Sequence, residues 1–183
     1  DEIVVFSSRS HAESPFLITS SLADISKFGP DLAVIAGVAT ERLAMVQALP
    51  DCLQGILIEK PLADTFANGV EIADEAARKA ELAQVGYNLR FSPSLLEFKR
   101  RIDSGDLGEV LSVRVETGQF LPDWRPGRDY RTTASAQKAL GGGALLELSH
   151  EIDYVRWIFG EIEWVSAWVG KSSGLDIDVE DTA

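Results

Sequence analysis

Cysteine is almost missing from this chain: Cys52 is the single thiol in 183 residues. That excludes an intrachain disulfide framework and fits a reducing cytoplasm. Basic residues are also in short supply. With 17 Lys and Arg against 29 Asp and Glu, the formal net charge is −12. Nucleic acid is therefore not expected as a partner, because neutralising phosphates needs a basic surface. An anionic small molecule is still allowed, since a few local arginines can outweigh the global field. No apolar run approaches the roughly 20 residues that cross a bilayer, so no membrane partner is expected. Nothing resembling a basic leader precedes Asp1-Glu2-Ile3-Val4-Val5-Phe6, which goes straight into strand-like sequence, so the chain reads as truncated. No metal-ligating cluster stands out. What remains, 45% hydrophobic and 25% charged residues, is ordinary for one or two globular domains.

The first half alternates short β-branched runs with amphipathic segments. Residues 3–6, 32–36, 56–58 and 82–85 read as strands. A helix is expected over residues 40–49 and a longer one from Asp64 or Thr65 to about Lys79. The longer helix carries Phe66, Val70, Ala73 and Ala77 at a 4-3-4 spacing, read as its core face. Strands alternating with helices imply α/β architecture with a parallel, doubly wound sheet. After Gly86 the pattern changes. Ser92-Pro93 opens a helix closed by Gly105 and Gly108. Residues 110–118 alternate strictly, as an antiparallel strand with one covered face does, and residues 164–169 read as another. Gly141-Gly142-Gly143 leads into a helix ending near Phe159-Gly160. Two domains are expected, 1–87 and 88–183, the second α+β with a largely antiparallel sheet.

Two constellations carry chemistry. Glu59-Lys60-Pro61 follows directly on a strand, and a lysine there points to the crevice where open parallel sheets bind ligands. Pro61 keeps Lys60 out of helical geometry. The competing reading is a solvated lysine in a strand-to-helix turn. On the continuous helix expected after the glycines, Glu147, His150 and Tyr154 fall within about 60° of one another at about 100° per residue. Leu145, Leu148, Ile152, Val155 and Phe159 take the opposite, core-facing side. A carboxylate beside an imidazole suits the proton transfer that accompanies hydride transfer, and Asp153 at the edge of that face could orient the imidazole. The competing reading is a surface ion pair.

Taken together, Glu59-Lys60-Pro61-Leu62, Gly86-Tyr87-Asn88-Leu89-Arg90-Phe91, Gly141-Gly142-Gly143-Ala144-Leu145-Leu146-Glu147 and His150-Glu151-Ile152-Asp153 stand in the order and approximate spacing of the Gfo/Idh/MocA oxidoreductases, which the chain resembles over nearly its whole length. The resemblance implies a nicotinamide-dependent dehydrogenase with Lys60 beside the nicotinamide and the substrate hydroxyl, His150 as general acid/base and Glu147 near substrate. It implies cofactor contacts from Gly37, Thr40, Glu59, Lys60 and Asn88, substrate contacts from Arg90 and Asp153, and a homo-oligomer in the complete protein. Two departures are visible. Glu147 precedes His150 by three residues, where the family usually has Asp four residues before. The glycine-rich phosphate loop is absent, as if the first Rossmann strand preceded Asp1.

Two segments bear on specificity. Phe6-Ser7-Ser8-Arg9-Ser10 ends the first strand with hydroxyls and a guanidinium, where an NAD site usually has an acid. Ser8 and Arg9 suit a 2′-phosphate, so NADP is expected over NAD. Arg9 stacked on adenine or facing water is the alternative. In Trp124-Arg125-Pro126-Gly127-Arg128-Asp129-Tyr130-Arg131, three arginines recur at three-residue intervals beside aromatic rings. Guanidinium forks bind carboxylate or phosphate bidentately, so Trp124, Arg125, Arg128 and Arg131 are expected to bind an anionic sugar. Alternatively they pair with Asp123 and Asp129 to order the loop. The expected function is hydride transfer between NAD(P) and a carbinol carbon of a sugar, sugar acid or nucleotide sugar. The rival is an inactive family member that senses a sugar or dinucleotide.

Overall fold

A computed structural model describes residues 2–7 and 14–183. The chain divides into two compact units, Asp1–Gly86 and Tyr87–Ala183.

In the first unit, β1 (Val4–Phe6) pairs in parallel with β2 (Leu17–Thr19). A second sheet has the order β3-β4-β5, with β3 Leu32–Ile35, β4 Leu53–Ile58 and β5 Ala80–Val85, all parallel. Helices α1 (Leu22–Phe28), α2 (Arg42–Ala48) and α3 (Phe66–Lys79) complete it. The unit is α/β; β1, β3 and the second half of β4 are apolar runs, as parallel strands covered on a face should be, whereas β5 carries Glu81 and Gln84 and is largely exposed. Ile35, Val46, Leu49, Leu53, Ile56, Ile58, Ile72 and Ala76 form one buried core from β3, β4, α2, α3 and the α2–β4 turn. Leu49 caps α2 directly before Pro50, whose ring forbids another helical turn. Cys52 follows in that turn, exposed and at φ 67°, a left-handed conformation rare for a residue with a Cβ. Thr65 caps α3 by accepting from the Asn68 N–H.

Three expectations are corrected in this unit. Neither β2 nor α1 was expected; both are short, and α1 buries no residue. A 3-10 turn, Ala39–Glu41, precedes α2, so the helix proper begins at Arg42. The buried stripe of α3 is Ile72, Ala76 and Lys79, whereas Phe66 (89% exposed), Val70, Ala73 and Ala77 face solvent. Two apolar stripes compete on this helix, and the one carrying Ile72 and Ala76 packs into the core alongside α2 and β5. Helical spacing alone does not say which stripe the sheet selects.

The second unit begins with a 3-10 turn, Asn88–Phe91, followed by α4 (Pro93–Asp103). A short α5 (Leu121–Trp124) and three 3-10 turns lead to α6 (Ala144–Glu147) and α7 (Ser149–Phe159). Phe98 of α4 meets Phe159 of α7 edge-on at 6.3 Å. Residues 110–118 and 164–169 are not strands. Among the described residues the only antiparallel pairing in this unit is the bridge between Gly170 and Thr182. A strand needs a neighbour to take its N–H and C=O groups, and here both faces of the alternation are open: Val110, Arg114 and Glu116 on one side and Leu111, Val113 and Val115 on the other are all exposed. The helix expected after the glycines is broken in two at Leu148, whose φ of −97° and ψ of 26° leave the helical region. The assigned core side fails with it, because Leu145 and Ile152 are exposed and Ile158 is the buried residue of α7.

Candidate functional site

In the first unit the chemistry collects at the carboxyl ends of β3 and β4. The ladder closes with the Glu59 N–H donating to Ile35 O (2.8 Å) and the Gly86 N–H donating to Ile58 O (2.7 Å). Beyond that point the chain turns through Glu59, exposed, and Lys60, half-buried, into a cis peptide bond with Pro61. The Lys60 N–H donates to the Glu59 carboxylate at 3.2 Å. Gly86 stands beside this turn, and a Cβ there would touch Glu59 Cα and its carboxylate at 3.4 Å. Gly37 ends the β3 side under Met45, where a Cβ would come within 2.5 Å of the Met45 Cε, and Thr40 is half-buried in the 3-10 turn before α2. The strand ends are tied together by a residue that sequence reasoning missed. Arg42, 4% exposed, donates from Nε to Gly37 O (2.9 Å), from Nη2 to Lys60 O (3.3 Å) and from Nη1 to Glu59 O. These three acceptors are backbone carbonyls up to 18 residues away, and a carbonyl carries no residue-type signature to read in a sequence. Ser8 and Arg9 lie outside the described residues.

In the second unit, the 3-10 turn after Tyr87 is locked to α7. Arg90 donates from Nε and Nη2 to the two carboxylate oxygens of Asp153 at 2.8 and 2.6 Å. The Asp153 side chain is only 9% exposed. These hydrogen bonds hold the Arg90 guanidinium above its ordinary pKa against the opposing effect of burial. Asp153 thus takes the guanidinium fork with both oxygens. In the same turn–helix contact the Tyr87 ring meets the His150 imidazole edge-on, with centroids 5.6 Å apart, while Asn88 is exposed. One turn along α7, burial and then the Glu151 charge push the Tyr154 phenol above its ordinary pKa, so it stays a neutral donor at neutral pH.

Glu147 and His150 do not share one helical face, because the break at Leu148 ends α6 before α7 begins. Glu147 accepts instead from Ser135 Oγ at 2.7 Å and lines an open cleft of about 900 Å³ with Trp124, Ser135, Glu151 and Glu180. The glycine run makes this arrangement possible. A Cβ on Gly142 would collide with the Ala134 and Ser135 carbonyl oxygens. Gly143, at φ 112°, lies where a Cβ would strike the Glu180 carboxylate, which accepts from the Leu145 N–H at 3.0 Å.

The three loop arginines have separate fates. Arg131 grips Asp129 through Nε and Nη2 at 2.9 and 2.7 Å, and lies 3.8 Å from Asp176. That pairing depresses the Asp129 carboxyl below the usual range and raises the guanidinium. Arg125 lies over the Trp124 ring at 5.9 Å. Arg128, after Gly127 at φ 79°, is exposed. Among the described residues no group of three His, Cys, Asp or Glu side chains is placed to hold a metal ion, and no helix is long and apolar enough to cross a membrane.

Comparison with known proteins adds a family to this geometry. Residues 95–183 match the GFO/IDH/MocA C-terminal domain model. Inositol 2-dehydrogenase 1 of Saccharopolyspora erythraea is 31% identical over 153 residues, spanning 81% of this chain and 41% of that protein. Levoglucosan dehydrogenase of Pseudarthrobacter phenanthrenivorans is 31% identical over 142 residues, spanning 75% of this chain and 36% of that protein. A solved structure of levoglucosan dehydrogenase in complex with NADH and levoglucosan superposes with a TM-score of 0.66 at 28% identity, covering 79% of this chain and 39% of that one. The chain therefore spans about two fifths of the length of these relatives. With the curated matches reaching into the parallel-sheet unit and the domain model covering most of the helical one, the chain belongs to the Gfo/Idh/MocA family.

Proposed function

We propose that the protein containing this chain transfers hydride between a nicotinamide dinucleotide and a carbinol carbon of a sugar or cyclitol. The observation that carries this reading is Lys60, placed at the carboxyl end of a parallel strand with its backbone anchored, in a chain of this family. Ligands of open parallel sheets bind at that edge. The groups following β3 and β4 fit a dinucleotide: the Thr40 hydroxyl, the exposed Glu59 carboxylate and the Lys60 ammonium can hydrogen-bond ribose hydroxyls and a carboxamide. Asn88 joins them by family resemblance. When bound, the nicotinamide accepts or returns the hydride.

The roles are assigned on each unit's own geometry. Lys60 stabilises the negative charge that develops on the substrate oxygen. His150, held against Tyr87, exchanges the hydroxyl proton. Glu147 and Trp124 line the cleft in which a polyol finds hydrogen bonds and an aromatic face. Three finer readings go with this one. Arg125 and Arg128 direct a negatively charged sugar. Ser8 and Arg9 favour NADP over NAD, which equal catalytic efficiencies with the two dinucleotides would refute. Residues 110–118 and 164–169 pair as antiparallel strands in the complete protein, which is a cytoplasmic homo-oligomer.

Dinucleotide reduction by the full-length protein over a panel of inositols, aldoses, anhydrosugars and sugar acids tests the activity. Lys60→Met should lower turnover by several orders of magnitude while leaving dinucleotide affinity within a few-fold. No reduction with any member of the panel, alongside normal dinucleotide binding, would leave a sensing role in place of catalysis.

A further inference from the structure

We propose that Arg42 is the positioning residue for Lys60, and that the placement of the lysine depends on the guanidinium as a fork rather than as a charge. The inference rests on the reading of Lys60 as the group that acts on the substrate oxygen. The parallel ladder ends at Ile35 and Ile58, whose carbonyls receive the Glu59 and Gly86 N–H groups. The chain then has to turn through Glu59 and Lys60, and Pro61 has no N–H to contribute. Arg42 supplies the donors. It opens α2, lies 4% exposed, and reaches the carbonyls of Gly37, Glu59 and Lys60 from three different nitrogens.

Gly37 follows β3, while Glu59 and Lys60 follow β4. One planar cation therefore fixes two strand ends against each other and against the start of α2. A lysine at position 42 would keep the charge, but its ammonium is a point donor and cannot span three carbonyls. The ammonium of Lys60 rides on a flexible four-carbon stem, so the base of that stem decides where it can reach. A misplacement of about 1 Å costs on the order of a hundredfold in rate.

The test is steady-state kinetics of the full-length protein, with turnover expressed per dinucleotide-binding site so that unfolded material is not counted. Arg42→Lys should lower kcat roughly ten- to a hundredfold with the KM for the sugar and the Kd for the dinucleotide within about threefold. Arg42→Ala should be slower still, and added guanidinium should recover part of its rate, whereas added ammonium should not. In a Lys60→Met background, Arg42→Lys should cost nothing further, because its effect passes through the lysine. A normal kcat for Arg42→Lys beside a crippled Lys60→Met would overturn the proposal and leave the role of Lys60 standing. So would multiplicative losses in the double variant. An active Lys60→Met would instead overturn the role of Lys60 itself, whatever Arg42 does.

Discussion

Arg128 and Arg131 stand three residues apart and differ in what they have left to offer a ligand. Arg131 is committed to Asp129, a pairing that lowers one pKa and raises the other. Arg128 pairs with no carboxylate among the described residues and lies exposed after Gly127. If the substrate carries a negative group, Arg128→Gln should raise its KM about ten- to a hundredfold, since a charge-assisted bidentate contact is worth roughly 1.5–3 kcal/mol. A neutral polyol should be unaffected. Equal KM changes for anionic and neutral sugars would make the loop structural and favour an inositol or aldose. The sequence showed three equivalent arginines. Only the fold reveals that Asp129 binds Arg131 and that Arg125 lies against Trp124. Arg42 marks the opposite limit. Lys60 was legible because strand, charge and proline are adjacent in sequence, whereas the carbonyls of Gly37, Glu59 and Lys60 that Arg42 binds carry no residue-type signature.

Among the elements, α4 shows how charge supports a helix whose residues are all at least partly open to solvent. Glu97 accepts from Arg100 at 2.8 and 3.0 Å and from Arg101 at 2.8 Å, at the three- and four-residue spacings that face each other on a helix. These bonds, Arg100 first, bring the Glu97 carboxyl down to about 2 from 4.5. Because the folded value is the depressed one, the contribution is complete above about 4.5 and is lost as the pH falls toward about 2. The urea midpoint of wild type should therefore exceed that of Glu97→Gln by a small margin near neutral pH, shrinking as the solution is acidified below about 4.5. That margin should also shrink in 1 M salt, where the screening length is about 3 Å. A gap independent of pH would mean that Glu97 acts through packing instead. Helix existence was readable from sequence for α3 and α4, from their caps and spacing. The break at Leu148 was not, because Leu145, Leu148, Ile152 and Val155 keep helical spacing straight across it. The side-chain contacts beside the break come from residues distant in sequence: Glu180 at the start of α6 and Ser135 on Glu147.

Over the whole molecule, the parallel β3-β4-β5 sheet could be anticipated because branched runs and helices alternate within local reach. The antiparallel expectation for residues 110–118 depended on partners that a one-dimensional pattern cannot supply. In the full-length protein their amides should exchange with solvent at least about a hundredfold more slowly than in the isolated chain, given that paired strands open only by local unfolding. Equal exchange in both would show that the alternation does not encode a strand. The turn before β4 offers a practical consequence. Cys52, the single thiol of the sequence and an exposed one, sits at the amino end of a strand whose carboxyl end leads to Lys60. Six residues of extended chain separate the two ends, roughly 20 Å at about 3.3 Å each. On this chain a maleimide fluorophore would attach at that one position, an optical reporter on the parallel-sheet unit held about a strand's length from Lys60.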